Sequence, residues 1–290
     1  MRPQRFRFGG PAGALCLEVA VEEPRVLEVV EALFPDHRLA AAESEGIAPP
    51  AGTCGAEQTG AVRLHLGAVD RGYELRLGSD RGWRSADLTG ILGQLELVLA
   101  RELIRLHPGI PLHAAGAVDG GSALLFSGPG GSGKSSLATA LALRHMPVLG
   151  DDVVLLHQGR VHAFRRLFKV EEPARTVLEL PPPGEVLAAV WPDRALYHPR
   201  ELGTRWATPA PVGALVLPHR RPGSRPALVE RRPSEVLPAL LRELVSDEPP
   251  GGPAFTEVSA ALGDARCYEL TYWDTPAAVE LVQERIGSPG

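Results

Sequence analysis

A segment near the middle of the chain has the residue types and spacing of a phosphate-binding loop. It reads Gly128, Pro129, Gly130, Gly131, Ser132, Gly133, Lys134 and Ser135, and Ser136 follows. In this pattern the glycines let backbone N–H groups converge on phosphate oxygens, the lysine reaches the β- and γ-phosphates, and the hydroxyl binds Mg²⁺. A flexible Gly/Ser linker is the alternative, but the full pattern rarely arises by chance. The segment therefore predicts a nucleotide site.

Paired carboxylates follow this segment. Asp151 and Asp152 begin seventeen residues after Lys134 and are preceded by the short apolar segment 147–149. Because Mg–nucleotide sites place a carboxylate near the loop hydroxyl, we expect Asp151 and Ser135 to bind the metal. Asp152 would orient and deprotonate an acceptor hydroxyl, and the two aspartates could exchange these roles. A turn formed by an Asp pair beside glycine is the alternative.

Lysine is scarce in this chain. Lys134 and Lys169 are the two lysines among thirty basic residues, and the others are arginines. Arginine replaces lysine readily on a surface, whereas a compact ammonium inside a tight backbone ring cannot be replaced by a planar guanidinium. Lys134 is therefore predicted to hold phosphates. Arg165, Arg166 and Lys169 are candidates for binding transition-state charge or an acidic substrate, with a solvated basic loop as the alternative.

A histidine precedes the loop, on an apolar segment that predicts a strand at 112–118. His113 is expected either to lie near the γ-phosphate or to hydrogen-bond an aspartate, and a core histidine is the alternative. The loop itself is flanked by a predicted strand at 122–127 and a predicted helix at 134–144. Such a strand-to-helix junction suits an anion, because the helix N-terminus presents N–H donors and the positive end of its dipole.

Composition and charge exclude several functional classes. The formal net charge of −5 and the scattered arginines give no basic stripe for nucleic acid. We find no apolar run long enough for a membrane helix and no signal-peptide pattern, so a cytoplasmic protein without membrane contact is expected. Cys16, Cys54 and Cys267 are too far apart to indicate a disulfide framework or a metal cluster, and we expect small buried hydrophobes.

Residues 1–107 predict a small α/β domain for substrate or partner recognition, with no recognisable chemistry. Its expected elements are a strand at 14–21, a helix at 23–34, a loop at 47–60, a hairpin of strands 61–66 and 73–77, and a helix over 86–106 that Ser85 begins. The cluster of Arg2, Arg5 and Arg7 is interpreted as a frayed terminus.

Residues 108–290 predict a strand-rich second domain. Beyond the aspartates, the expected elements are strands at 153–157 and 160–164, loops at 180–184 and 192–211, a strand at 212–217, a turn at 218–226, a helix from Ser234 to about Val245, a strand at 267–272 and a final helix capped by Thr275.

These motifs resemble the HPr kinase/phosphorylase family and its diverged relatives, whose catalytic fold is similar to that of phosphoenolpyruvate carboxykinase. The resemblance rests on the order and spacing of Leu112-His113-Ala114-Ala115, Gly128 to Ser136, and Gly150-Asp151-Asp152-Val153-Val154. It covers most of 108–290, including a similar strand-plus-helix ending at 267–286. It implies an α/β P-loop domain with a mixed sheet, which uses ATP and Mg²⁺ to phosphorylate a hydroxyl.

The sequence also departs from the family. We cannot place the Glu-x-Arg-Gly signature of the phosphocarrier-specific enzymes or their later glycine- and arginine-bearing loop, so HPr is not the expected substrate. The basic segment 165–169 resembles one in the diverged relatives, some of which phosphorylate a serine of a precursor peptide. The resemblance thus implies a serine of a peptide or protein, or a small hydroxyl compound, as acceptor.

The predicted activity is therefore that of an ATP-dependent kinase, and two alternatives stay open. One is a phosphoserine dephosphorylase or phosphorylase on the same fold. The other is a nucleotide-binding switch or assembly module with little turnover, which the missing Asn-Lys-x-Asp and ABC-type signatures disfavour. A homo-oligomer is compatible with the sequence.

Overall fold

The computed structural model describes residues 4–10, 13–21, 23–38, 62–79, 81–245 and 251–287. The described part has the mixed α/β architecture predicted from the sequence. It divides into two compact units, Met1–Pro108 with Glu185–Trp191, and Gly109–Gly184 with Pro192–Gly290. Among the described helices, none combines the length and the apolar character that crossing a bilayer requires.

The elements of the first 108 residues are β1 (Gln4–Gly10), β2 (Gly13–Ala20), α1 (Pro24–Leu33), β3 (Val62–Val69), β4 (Gly72–Leu77), β5 (Arg81–Ser85) and α2 (Leu88–Arg105). Those up to residue 197 are β6 (Ile110–Leu112), β7 (Ala114–Asp119), β8 (Ser122–Ser127), α3 (Lys134–Leu143), β9 (Val148–Gly150), β10 (Val154–His157), β11 (Arg160–Ala163), β12 (Phe168–Glu171), α4 (Glu172–Val177), α5 (Glu185–Ala188) and β13 (Arg194–Tyr197). The remainder are β14 (Ala210–Arg220), β15 (Ala227–Arg231), α6 (Pro233–Arg242), α7 (Gly252–Leu262), β16 (Arg266–Tyr272) and α8 (Thr275–Ile286), with 3₁₀ turns at Pro35–His37 and Pro199–Leu202.

The first unit is a five-stranded sheet in the order β1-β2-β3-β4-β5. β2 and β3 are parallel, and the other neighbours are antiparallel. Leu15, Leu17 and Val19 of β2 are fully buried, and α1 buries Val26, Val29, Val30 and Leu33 at helical spacing. The predicted strand, helix and hairpin of this region are confirmed, because each follows from an apolar period that the unit buries.

Two predictions for the first unit are wrong. Arg5 and Arg7 do not belong to a frayed terminus, because they alternate with buried Phe6 and Phe8 on β1, which pairs with β2. Ser85 ends β5 instead of beginning the helix, and the carboxylate of Asp87 caps α2 by accepting from the Gly90 N–H. Arg2, the predicted loop at 47–60 and Cys54 lie outside the described residues.

The second unit is built on a mixed sheet in the order β6-β10-β11-β14-β8-β7-β9, with β16 also paired to β14 and β15 to β16. β8, β14 and β16 are parallel, so their carboxyl ends lie at one edge. The register continues β14 and β16 beyond the end of β8, with Arg220 opposite Tyr272. Residues at the carboxyl ends of β14 and β16 therefore lie beside the segment that follows β8, which begins at residue 128.

Helices cover both faces of this sheet. Leu124, Phe126 and Val216 point to a core shared with α3 and α8, whereas Leu125 and Leu215 point to a core shared with α6 and α7. This alternation is the period of a strand buried on both faces. The strands β8 and β14 are continuous apolar runs because each of their faces is covered by a layer of helices. Cys16, in the first unit, and Cys267, in the second, are buried, as predicted.

Several boundaries in the second unit differ from prediction. The expected strand 112–118 is divided at His113, because β6 pairs with β10 while β7 pairs with β8 and β9. The expected loop 192–211 contains β13, which pairs with β12, and the expected turn at 218–226 begins later because β14 continues to Arg220.

The helix boundaries of this unit also need correction. α6 runs over Pro233–Arg242, so it starts before Ser234 and ends before Val245. Asp274, not Thr275, caps α8 by accepting from the Ala277 N–H. Strand β15 and helix α7 had no predicted counterpart, because their residues lack a clear apolar period between the surrounding Gly, Pro and Arg.

Candidate functional site

The glycine loop, residues 128–136, joins the end of β8 to the first turn of α3. It therefore lies at the carboxyl edge of the parallel strands, where the backbone N–H groups of the first helical turn have no intrahelical acceptors. Gly128, Gly131 and Gly133 have φ angles of 146°, 77° and 95°. Side chains disfavour these backbone conformations, so the spacing of the glycines follows from the path of the loop.

A tyrosine from the end of β16 closes one side of this loop. A Cβ at Gly133 would lie 1.8 Å from Oη of Tyr272. That hydroxyl is buried and donates to the carbonyl of Ser132 at 3.1 Å. Burial raises the pKa of Tyr272 to about 12, so the group stays a donor. At Gly130 and Gly131, by contrast, no described atom lies within 4 Å of an added Cβ. The loop is closed by Tyr272 and open at its tip.

Lys134 is buried within the loop. Its ammonium donates to the carbonyl oxygens of Gly128, at 2.5 Å, and Pro129, at 3.1 Å. Burial lowers its pKa from the ordinary lysine value. The buried hydroxyl of Ser132 has no hydrogen-bond partner among the described residues. An unpartnered buried donor is costly to the folded state.

The first aspartate of the pair is buried beside the loop. Ser135 Oγ donates to the backbone carbonyl of Asp151 at 2.9 Å, and the Asp151 carboxylate accepts from the Lys169 N–H at 2.9 Å. Burial, and second the negative charge of Asp152, raise the pKa of Asp151 to about 7. The structure thus places beside the loop a buried acid that titrates near neutral pH, while the loop hydroxyl bonds to its backbone carbonyl.

The second aspartate belongs to a chain of charged side chains, here called the charged cluster: Glu243, His113, Asp152 and Arg166. His113 Nδ1 lies 2.9 Å from Glu243 Oε2, and His113 Nε2 lies 3.2 Å from Asp152 Oδ1. The other Asp152 oxygen accepts from Arg166 at 2.9 Å. The hydrogen bond from His113, and then the charge of Arg166, hold the pKa of Asp152 below its usual value.

Strand register explains why His113 meets Asp152. Leu112 pairs with Val154, and Gly116 pairs with Gly150. The chain through His113 therefore runs antiparallel to the chain through the aspartates, and the two turns lie opposite each other. The break between β6 and β7 at His113 is the point at which the histidine can face the carboxylate.

One cavity, of about 330 Å³, combines the loop with the charged groups. Its lining includes the predicted site residues His113, Gly130, Gly131, Gly133, Lys134, Ser135, Ser136, Asp151, Asp152, Arg166 and Lys169. The volume is within the range of small-molecule sites, which start near 300 Å³. Of the other predicted residues, Gly128 and Ser132 belong to the loop without lining the cavity as described, and Arg165 is exposed outside this lining.

Two residues at the site were missed by sequence reasoning. Glu243 follows α6 and gave no signal, because an acidic residue near a helix end is usually a surface residue. Arg220 lines the cavity and lies over the Trp273 ring, with its guanidinium carbon 4.6 Å from the centroid. The sequence predicts a turn at this residue. The continuation of β14 to Arg220 brings it beside the glycine loop.

Comparisons with known proteins add no family to this description. No protein-family model matches the chain, and no curated protein is significantly similar to it.

Proposed function

We propose that this chain is an ATP-dependent kinase that transfers the γ-phosphoryl group to a hydroxyl, with a serine of a peptide or protein as acceptor. We propose further that the second unit has the fold of the HPr-kinase-like proteins. One observation carries the proposal: the glycine loop with its buried lysine and the Asp151–Asp152 pair line the same cavity. Phosphoryl transfer requires mainly positioning and charge neutralisation, which these groups supply.

The residues present fit a Mg²⁺–nucleotide. Mg²⁺ prefers oxygen ligands and is usually held by one or two carboxylates together with substrate phosphates. Ser135 and Asp151 both line the cavity, and the Ser135 hydroxyl is bonded to the Asp151 backbone carbonyl, so a hydroxyl and a carboxyl group are offered from adjoining residues. Among the described residues, no group of three His, Cys, Asp or Glu side chains could hold a metal ion by itself. A Mg²⁺ site that also uses substrate phosphates does not need such a group. When bound, Mg²⁺ would neutralise charge between the β- and γ-phosphates.

The loop would bind the phosphates. Backbone N–H groups in residues 130–135 would donate to phosphate oxygens, and Lys134 would exchange its bonds to the loop carbonyls for bonds to phosphate oxygens. The open tip at Gly130 and Gly131 leaves room for the phosphate chain.

Asp152 would orient the acceptor hydroxyl and accept its proton. Arg166 and His113 each bind one of its oxygens, so the carboxylate is ionised and fixed in orientation. A base must be in the correct protonation state and within hydrogen-bond reach of the proton it removes. Of the two aspartates, Asp152 meets the first condition near neutral pH, whereas the raised pKa of Asp151 suits a group that ionises when a cation binds.

The test compares wild-type protein, Asp152→Asn and the exposed control Asp264→Asn. Each is incubated with Mg–ATP and a pool of serine-containing peptides, beside a matched pool in which alanine replaces serine, and products are identified by mass spectrometry. Nucleotide affinity is measured separately by calorimetry. We expect serine-dependent gain of one phosphate, lowered about 10³-fold in Asp152→Asn with nucleotide affinity retained.

Other outcomes would contradict the proposal. Wild-type turnover in Asp152→Asn would remove the base assignment. Tight nucleotide binding without any acceptor in the serine pool, together with nucleotide-dependent capture of a protein partner, would favour a switch. Loss of phosphate from phosphoserine peptides with inorganic phosphate and no ATP would favour a dephosphorylase.

A further inference from the structure

The imidazole of His113 lies between two carboxylates. Its two ring nitrogens are 2.9 Å from Glu243 and 3.2 Å from Asp152. A neutral imidazole carries one N–H and one lone pair, so either tautomer would turn a lone pair toward one of these carboxylates. The imidazolium form donates to both. The pKa of His113 is raised accordingly, by its hydrogen bond to Asp152 and also by that to Glu243.

The backbone fixes Glu243 in this position. The His113 N–H donates to the Glu243 carbonyl at 2.7 Å, and the Val245 N–H donates to the Pro111 carbonyl at 2.9 Å. Leu112 and Leu244 form a β-bridge between these two bonds. The segment after α6 is therefore paired with the segment that carries the histidine. The Glu243 side chain is 15% exposed, so water competes little with the imidazole for its carboxylate.

Glu243 does not line the cavity with the glycine loop, and its side-chain hydrogen bond to the site is the one to His113, although its charge also opposes the lowering of the Lys134 pKa. Buried carboxylates that bind the far nitrogen of a histidine set the orientation of the ring and the proton it carries. The imidazole in turn holds one oxygen of Asp152, while Arg166 holds the other.

We propose that Glu243 is a positioning residue, which holds His113 with Nε2 against Asp152 and so fixes the carboxylate that receives the acceptor proton. This inference rests on the proposed kinase function. In the step that it serves, the acceptor oxygen bonds to the γ-phosphorus while the bond from that phosphorus to the β–γ bridging oxygen breaks. The hydroxyl proton passes to Asp152, and ADP leaves.

A double-mutant cycle tests whether Glu243 acts through His113. The variants are Glu243→Gln, His113→Ala and the double variant, with Glu235→Gln, an exposed glutamate of α6, as matched control. Glu243→Gln should lower kcat about tenfold when His113 is present and less than about twofold when it is absent. ATP affinity and the control should stay within about twofold of wild type. An equal loss in both backgrounds would overturn the proposal, because it would indicate a purely structural role.

A second measurement is independent of turnover. Nitrogen NMR of the ¹⁵N-histidine-labelled protein near neutral pH reports the form of each imidazole, and the His113 signals are assigned by their loss in His113→Ala. Glu243→Gln should move them from the imidazolium positions toward those of a neutral ring, while Glu235→Gln leaves them in place. Unchanged His113 signals would overturn the proposal. If the signals move but no variant, wild type included, transfers phosphate, the kinase function and with it the catalytic use of Glu243 are wrong.

Discussion

The glycine loop consists of nine consecutive residues, 128–136, whereas the charged cluster takes its side chains from four segments that are up to 130 positions apart. The loop owes its path to positive φ angles at Gly128, Gly131 and Gly133. The cluster owes its geometry to strand register and to the pairing of residues 111–113 with 243–245. The geometry of the glycine loop is therefore determined by local backbone conformation, and that of the charged cluster by the topology of the sheet.

This difference has consequences for substitution. A change in the loop should act through the local backbone and through Tyr272, which contacts it, and not through the charged groups. A change in the cluster should act through a neighbour, because every member holds another charged group. The following experiments test this contrast in order of decreasing effect.

Lys134→Ala should have the largest effect. It removes the ammonium that would hold the β- and γ-phosphates, so phosphoryl transfer should fall about 10³-fold. Lys134→Arg should not restore it, because the guanidinium does not fit the ring of carbonyls that surrounds the ammonium. Steady-state kinetics with Mg–ATP measure both, and the exposed Arg285→Ala is the control. Wild-type rates in Lys134→Ala would show that the loop does not bind the nucleotide.

Gly133→Ala should have the next effect. The added Cβ would clash with Tyr272 at a residue with φ of 95°, so the free energy of unfolding should fall by about 3 kcal/mol. Gly130→Ala, where the space is open, should change it by less than about 0.5 kcal/mol. Urea denaturation of wild type and the two variants measures these changes in the free energy of unfolding. Equal destabilisation would mean that contact with Tyr272 does not shape the loop.

Asp151→Asn should stabilise the protein above neutral pH. The pKa of Asp151 is raised to about 7 from 3.8, so between these values the folded chain binds more protons than the unfolded chain, and wild-type stability falls as pH rises through this window. The variant keeps an acceptor for the Lys169 N–H but carries no charge. It should be more stable than wild type by a few kcal/mol at about pH 8, and within about 1 kcal/mol of it near about pH 4.

Unfolding curves of Asp151→Asn and wild type at several pH values, with the exposed Asp264→Asn beside them, test the sign. A variant less stable than wild type at the higher pH would show that the buried carboxylate is not an electrostatic cost. The loop variant Gly130→Ala should show no such pH dependence relative to wild type, which sharpens the contrast between the two regions.

Tyr272→Phe should have the smallest effect. It removes one hydrogen bond to the Ser132 carbonyl and should cost about 1 kcal/mol in wild type. In Gly133→Ala it should instead restore part of the lost stability, because the atom nearest to the new Cβ disappears. Additive losses in the double variant would contradict the proposed closure of the loop by Tyr272.

The same contrast explains how much the sequence predicts. The strand 122–127 and the start of the helix at Lys134 are confirmed, because short-range glycine and apolar patterns determine both. The α/β class follows from the same patterns. The sequence identifies His113, Asp152 and Arg166 as candidates, and a hydrogen bond from His113 to an aspartate is one of the two placements expected for it. Which aspartate it meets, and that Arg166 meets the same one, depend on strand register, which the sequence does not display.

Glu243 and Arg220 could not be predicted for a related reason. Glu243 becomes part of the site through backbone pairing with residues 111–113, at a distance of 130 positions. Arg220 reaches the cavity because β14 is longer than its apolar stretch. Lys169 shows a further limit of prediction from sequence. The side chain is the predicted contributor, but the backbone N–H of Lys169 also belongs to the site, because it donates to the Asp151 carboxylate.

The closure of the glycine loop by Tyr272 depends on how far synthesis of the chain has proceeded. It closes the loop from a position 140 residues beyond Ser132. At translation speeds of about 5–20 residues per second, the ribosome needs roughly 7–28 s to cover that distance. During this interval the nascent chain contains the whole glycine motif without the residue that seals it. The closed form of the loop therefore arises late in synthesis, when β16 pairs with β14.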